Sequence, residues 1–137
     1  MGKIVLISCA SKKTDVKSKA KDLYISPLFK LNLSYAKSLN PEKIFILSAK
    51  HGLLDLDEEI LPYNETLNTM KDNEIKEWGN NVISKLKNKI DLKNDEIIFL
   101  AGEKYRKYLI PYINDYKIPL QSLGIGKQLK FLKEKLK

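Results

Sequence analysis

Short continuous apolar runs alternate along this chain with longer stretches whose apolar residues recur at helical spacing. The run Lys3–Ser8 (KIVLIS) is rich in β-branched residues and does not alternate with polar ones. That pattern predicts a strand buried on both faces, as in a parallel sheet. Residues 43–48 (KIFILS) and 95–100 (DEIIFL) repeat it, and residues 117–120 (KIPL) give a short fourth strand.

Helical patterns fill the gaps. Ser26-Pro27 is a helix start, with serine as N-cap and proline at the first helical position. Leu28, Leu31, Tyr35 and Leu39 form its apolar stripe, and Asn40-Pro41 stops it. A second helix is predicted over 72–88, capped by Asp72, with Ile75, Trp78, Val82, Ile83 and Leu86 inward. Gly79 weakens it by about 1 kcal/mol relative to alanine, which points to close packing there. A third follows Gly102-Glu103 and carries Tyr105, Leu109 and Ile113. The last follows Gly124 and Gly126, with Leu129, Leu132 and Leu136 inward. Residues 9–21 and 49–62 read as loops.

Strand and helix in regular alternation predict an α/β fold of three layers: a central, mostly parallel four-stranded sheet with helices on its faces. A length of 137 residues suits a single domain over residues 1–137 with one core. In such sheets ligands bind beyond the carboxyl ends of the strands, so the segments following the strands are where chemistry is expected.

After the first strand come Ser8, Cys9, Ser11, Lys12 and Lys13. Hydroxyls, a thiol and ammonium groups beside exposed backbone N–H groups suit an anion, although the spacing of a P-loop is absent. Cys9 is otherwise read as a small buried apolar group. After the second strand come Ser48, Lys50 and His51. His51 has the one side chain here whose ordinary pKa suits proton transfer near neutrality; it is either a general acid or base, or a packing histidine. After the third come Glu103, Tyr105 and Arg106: a carboxylate to position water, a ring to stack, and a guanidinium for phosphate, or else an ordinary helix start. Gly124 and Gly126 offer backbone N–H groups to an anion, or simply turn the chain. Tyr63, after Pro62, either covers a flat ligand or the edge of the core.

Composition narrows the classes. One cysteine and one histidine exclude an intrachain disulfide, a cysteine-based zinc site and a multi-histidine centre. No metal or cofactor is expected. No apolar run approaches membrane-spanning length, and the run at residues 4–7 is too short for a signal-peptide core, so a cytoplasmic protein without a membrane partner is expected. The net charge of +8 attracts phosphates, DNA, RNA or nucleotide-like ligands, yet Arg106 is the single arginine, and base reading favours arginine over lysine.

Taken in order, Cys9-Ala-Ser-Lys-Lys, Asp22-Leu-Tyr-Ile-Ser-Pro-Leu-Phe, Leu47-Ser-Ala-Lys-His-Gly-Leu-Leu, Pro62-Tyr-Asn-Glu-Thr-Leu, Leu100-Ala-Gly-Glu-Lys-Tyr-Arg and Leu123-Gly-Ile-Gly-Lys-Gln-Leu resemble a family of short uncharacterised proteins often labelled as related to the YaaA peroxide-stress proteins. The family is distantly similar to a domain of archaeosine tRNA-modifying enzymes whose fold is like that of uracil-DNA glycosylases. The resemblance implies a glycosylase-like fold, nucleic-acid binding in a stress response, and work on nucleobases.

Two functions remain open. One is an enzyme acting on a nucleobase or its glycosidic bond, with Glu103 and His51 as catalytic groups. The other is a non-catalytic DNA- or RNA-binding module in oxidative-stress protection.

Overall fold

The continuous apolar runs become the inner strands of the sheet, because each is covered from both sides. The structure, a computed structural model, describes residues 2–137. In chain order its elements are β1 (Lys3–Ser8), the short strand β2 (Ser18–Lys19), the single turn α1 (Ala20–Leu23), α2 (Pro27–Ser38), β3 (Lys43–Ser48), β4 (Gly52–Asp55) and β5 (Glu59–Ile60). A 3-10 turn at Leu67–Thr69 leads into α3 (Asp72–Leu86), β6 (Glu96–Leu100) and α4 (Glu103–Arg106). A second 3-10 turn, Ile110–Tyr112, precedes β7 (Asp115–Lys117) and α5 (Ile125–Lys135).

The main sheet has five strands in the order β4-β3-β1-β6-β7. β1 lies at its centre, parallel to β3 (Leu6 opposite Phe45) and to β6 (Leu6 opposite Phe99). β7 continues the parallel set beyond β6. Ile4 and Leu6 turn to one face, where Trp78, Val82 and Leu86 of α3 cover them. Val5 and Ile7 turn to the other, under Leu23 of α1, Phe29 and Ala36 of α2, and Leu132 of α5. The period-2 geometry of a strand thus sorts one apolar run into two cores.

The sequence predicts a mostly parallel sheet of four strands; the sheet has five, the fifth antiparallel. β4 pairs back on β3, with Ser48 opposite Gly52 across the loop Ala49-Lys50-His51. Gly52 closes that hairpin at φ +74°, which suits glycine far better than any residue with a Cβ. Gly-Leu-Leu-Asp carries neither alternation nor β-branching, so nothing local marks it as a strand. The segments read as loops, 9–21 and 49–62, also meet in a two-stranded antiparallel ribbon, β2 with β5.

Other boundaries shift for identifiable reasons. The third helix is broken into α4 and a 3-10 turn, since Pro111 lacks an N–H and its ring clashes with the preceding turn. The last strand is β7 rather than 117–120; Pro119 cannot donate to a ladder, and the chain turns at residues 119–122. Asp72 is the first helical residue, not the cap: Lys71 holds the cap position, and its N–H donates to Glu74 Oε1 at 2.9 Å. In α2 the deeply buried row is Phe29, Asn32 and Ala36, while Leu28, Leu31, Tyr35 and Leu39 are half-buried. That helix packs on α5 as well as on the sheet, and Tyr35 meets Phe131 edge-on at 6.0 Å. Among the described residues no helix is long and apolar enough to cross a membrane.

The chain steps from β1 to β3 on one side, then crosses back to β6 on the other. The topological switch point therefore lies between the carboxyl ends of β1 and β6, where the connections diverge and leave a crevice.

Candidate functional site

A cleft of about 1100 Å³ opens at that switch point. One wall is the turn after β1, with Ser8, Cys9 and Ser11. The opposite wall is the segment after β6, with Glu103, Tyr105 and Arg106. Leu28 and Asn32 of α2 and Leu129 of α5 close the α2/α5 side, together with Leu120.

Each wall is held by backbone chemistry. Cys9 N–H donates to Leu47 O at 2.9 Å, which ties the turn after β1 to β3. The Cys9 Sγ lies 3.4 Å from the Tyr105 hydroxyl, joining the two walls. Tyr105 stands edge-on to Trp78, with ring centroids 5.6 Å apart, and Trp78 Nε1 donates to Ser48 O at 2.8 Å. Burial pushes the Tyr105 phenol well above its ordinary pKa, so it keeps its proton and remains a donor. Arg106 Nη1 donates to Ala101 O at 2.8 Å, which fastens the turn after β6 and gives the guanidinium a structural role. Glu103 opens α4 and is exposed.

A smaller cavity of about 210 Å³ shares Cys9, Ser11 and Tyr105 with the cleft and adds Lys13, Glu65 and Thr66. Lys13 Nζ sits 4.4 Å from the centroid of the Tyr63 ring and 5.8 Å from that of Tyr24. Its pKa is lowered, chiefly by desolvation, against the attraction of Cys9 and Glu65.

Beneath Lys13 runs a buried chain of hydroxyls. Ser48 Oγ donates to the Tyr63 hydroxyl at 2.8 Å, and the Tyr63 and Tyr24 hydroxyls are 2.6 Å apart. Burial pushes the pKa of both tyrosines far up. Ser48 Oγ also accepts the His51 N–H at 3.0 Å. The His51 ring stands edge-on to Tyr63, centroids 5.5 Å apart, and its carbonyl accepts Lys85 Nζ at 3.0 Å. Burial, with help from Lys50, lowers the imidazole pKa.

The candidate residues therefore divide. Ser8, Cys9, Ser11, Glu103, Tyr105 and Arg106 share the cleft. Lys13 lines the cavity beside it; Ser48 and Tyr63 lie buried. His51 and Lys50 line neither cavity, so the structure does not bring His51 and Glu103 to one pocket. β3 and β6 flank β1 on opposite sides, about 10 Å apart at ordinary strand spacing. Lys50 instead faces Glu65 at 3.9 Å. Lys12 is exposed and lines neither cavity, and its carbonyl accepts the Ile25 N–H at 3.0 Å. Gly124 and Gly126 flank Ile125, which does line the cleft; a Cβ at either glycine would meet nothing within 4 Å.

Asn32 and Ser122 on the cleft wall were not anticipated. Ser122 has φ +67°, a backbone state rare outside glycine. Asn32 interrupts an otherwise apolar buried row of α2, and that interruption was the available signal. Among the described residues no group of three or more His, Cys, Asp or Glu side chains is placed to hold a metal ion.

The pattern of DUF6884, a family of unknown function, matches residues 4–134 and so takes in every wall of the cleft. The chain belongs to the DUF6884 family. No curated protein and no solved structure matches it. The cleft residues of this family member are therefore interpreted from their own chemistry.

Proposed function

We propose that the switch-point cleft takes a nucleobase, free or within nucleic acid, and that this cytoplasmic protein works on the base or its glycosidic bond without a cofactor. The observation that carries this reading is the cleft itself. Its volume of about 1100 Å³ has room for a nucleotide. It combines apolar surface with a carboxylate, a protonated phenol and a thiol at the strand ends.

Hydrolysis of a glycosidic bond suits these groups. As the C1′–N bond breaks, its electron pair leaves with the base and positive charge develops on the sugar. The Glu103 carboxylate stabilises that charge, or takes a proton from the water whose oxygen adds to C1′. The Tyr105 hydroxyl donates a hydrogen bond towards the base as it gains electrons. His51 serves this reading from outside the cleft, by packing on Tyr63.

The resemblance to YaaA-type proteins and to the glycosylase-like domain of archaeosine enzymes supports the same chemistry and the finer glycosylase-like fold. The turn after β1 reads Ser8-Cys9-Ala10-Ser11, not the Gly-Gln-Asp-Pro-Tyr type of loop of the glycosylases. The water-positioning carboxylate is accordingly assigned to Glu103, after β6.

The test is release of free base, followed by chromatography, from modified and ordinary nucleosides, nucleotides, tRNA and damaged DNA. Turnover that Glu103→Gln lowers by about 10²-fold or more supports the proposal. Absence of turnover on every substrate class removes the enzyme.

One observation favours a second reading, a DNA- or RNA-binding module in stress protection. The net charge is +8, and six lysines have a carboxylate within 4 Å among the described residues, which leaves most basic side chains available to phosphates. Affinity that collapses with salt yet survives Glu103→Gln would select it.

A further inference from the structure

Asn32 is only 5% exposed, and its Oδ1 is buried without a hydrogen-bond partner. It is the one such side-chain atom among the described residues. Leaving a buried acceptor unpaired costs roughly a factor of ten to a hundred in the folding equilibrium. A leucine of similar size would avoid that cost, and the neighbours Phe29 and Ala36 in the same buried row are apolar. The amide thus sits where packing alone calls for hydrocarbon.

Its location gives it a use. Asn32 lines the cleft beside Leu28 of α2, and Leu100, Leu120 and Leu129 line it too. Gln128, another cleft amide, has its Nε2 committed to Leu123 O at 2.8 Å. Apolar walls hold a flat ring by contact, and one uncommitted amide among them fixes its orientation through an N–H. A site built to hydrogen-bond a particular group rejects an analogue lacking it far more strongly than a hydrophobic pocket rejects a change in size.

We propose that Asn32 is the specificity-determining residue of the cleft: its carboxamide turns about its last side-chain bond to bring Oδ1 to the cleft, where it accepts an N–H from the edge of a heterocyclic base. The inference rests on the nucleobase reading above and adds which side of the cleft holds the ring. The base enters edge-first towards α2 and α5, so its glycosidic side faces Tyr105, and its sugar and any phosphate lie towards Glu103 and the turn after β1. A ligand with every ring-edge N–H blocked by methylation is refused.

The experiment is calorimetric titration of the wild-type protein, Asn32→Ala and Asn32→Leu with uridine, guanosine, cytidine and adenosine monophosphates, and with the N3-methyl form of the first, the N1,N2,N2-trimethyl form of the second and the N4,N4- and N6,N6-dimethyl forms of the others. Thermal melts of all three proteins without ligand accompany it. At least one unmodified nucleotide is expected to bind the wild type, and to lose about 10- to 100-fold in affinity both on its methylation and in Asn32→Ala. The two losses are expected not to add, because each removes the same bond. Asn32→Leu is expected to melt no lower than the wild type while losing the same affinity. Equal affinity in Asn32→Ala, or an unchanged affinity for the methylated form, overturns the assignment and leaves the nucleobase reading standing. A lower melting temperature in Asn32→Leu also overturns it, since the amide would then be serving the fold. No binding by any nucleotide removes the nucleobase reading and this assignment together.

Discussion

Tyr63→Phe tests how much of this fold depends on a buried hydroxyl chain. The substitution deletes one oxygen and keeps the ring, so the edge-on contact with His51 at 5.5 Å and the Lys13 ammonium at 4.4 Å retain their partner surface. Two hydrogen bonds go with the oxygen: the one accepted from Ser48 Oγ at 2.8 Å and the one shared with Tyr24 at 2.6 Å. Ser48 and Tyr24 are each no more than 1% exposed, so water does not replace the missing partner. Each stranded hydroxyl costs about 1–3 kcal/mol, and the loss from both is about 2–6 kcal/mol. A chain of this size unfolds with an entropy of roughly 0.3 kcal/mol/K, so the melting temperature should fall by about 7–21 °C. Circular dichroism melts measure it, with Tyr24→Phe as the comparison. Tyr24→Phe removes one end of the chain and leaves Ser48 bonded to Tyr63, so its loss should be smaller. A Tyr63→Phe melting point within about 2 °C of wild type would refute the buried chain as a stabilising element.

Two further outcomes follow from the packing. Gly79→Ala gains about 1 kcal/mol of helix propensity, but its Cβ would stand 2.9 Å from the Tyr108 Cβ; overpacking costs about 1–3 kcal/mol, so urea unfolding should record a net loss, and a stabilised variant would contradict the close approach. His51 has its pKa held below 6.5 by burial and by Lys50, so the folded protein binds that proton less readily than the unfolded chain. Its contribution to stability is complete above about pH 6.5 and declines as pH falls from there through the folded-state pKa. Unfolding free energies at a series of pH values should decline over that window, and His51→Gln should decline less steeply; identical slopes would contradict the buried imidazole.

The sequence displayed some of this architecture plainly. β1, β3 and β6 were legible because a strand covered on both faces must be apolar throughout. α3 was legible because Ile75, Trp78, Val82, Ile83 and Leu86 keep helical period, and all five are buried. Gly79 signalled close packing, and Tyr108 supplies it. β4 and the β2–β5 ribbon were hidden, since short edge pairings depend on the neighbouring strand rather than on local pattern. The segments after β1 and β6 do line one cleft, but strand order cannot be read from a single chain. That order places β3 on the far side of β1 from β6, which keeps His51 off the cleft and admits Glu103. Asn32 escaped notice because helix capping and stripe rules attend to apolar positions, whereas its meaning lies in what faces it across the cleft.

The most direct test of the central claim is a crystal structure of the protein grown with the nucleotide that binds most tightly in the titration. The account predicts a ring in the switch-point cleft, its N–H edge on Asn32 and its sugar near Glu103. A ring seated against His51 and Lys50, or held only by surface lysines with the cleft open, would contradict it.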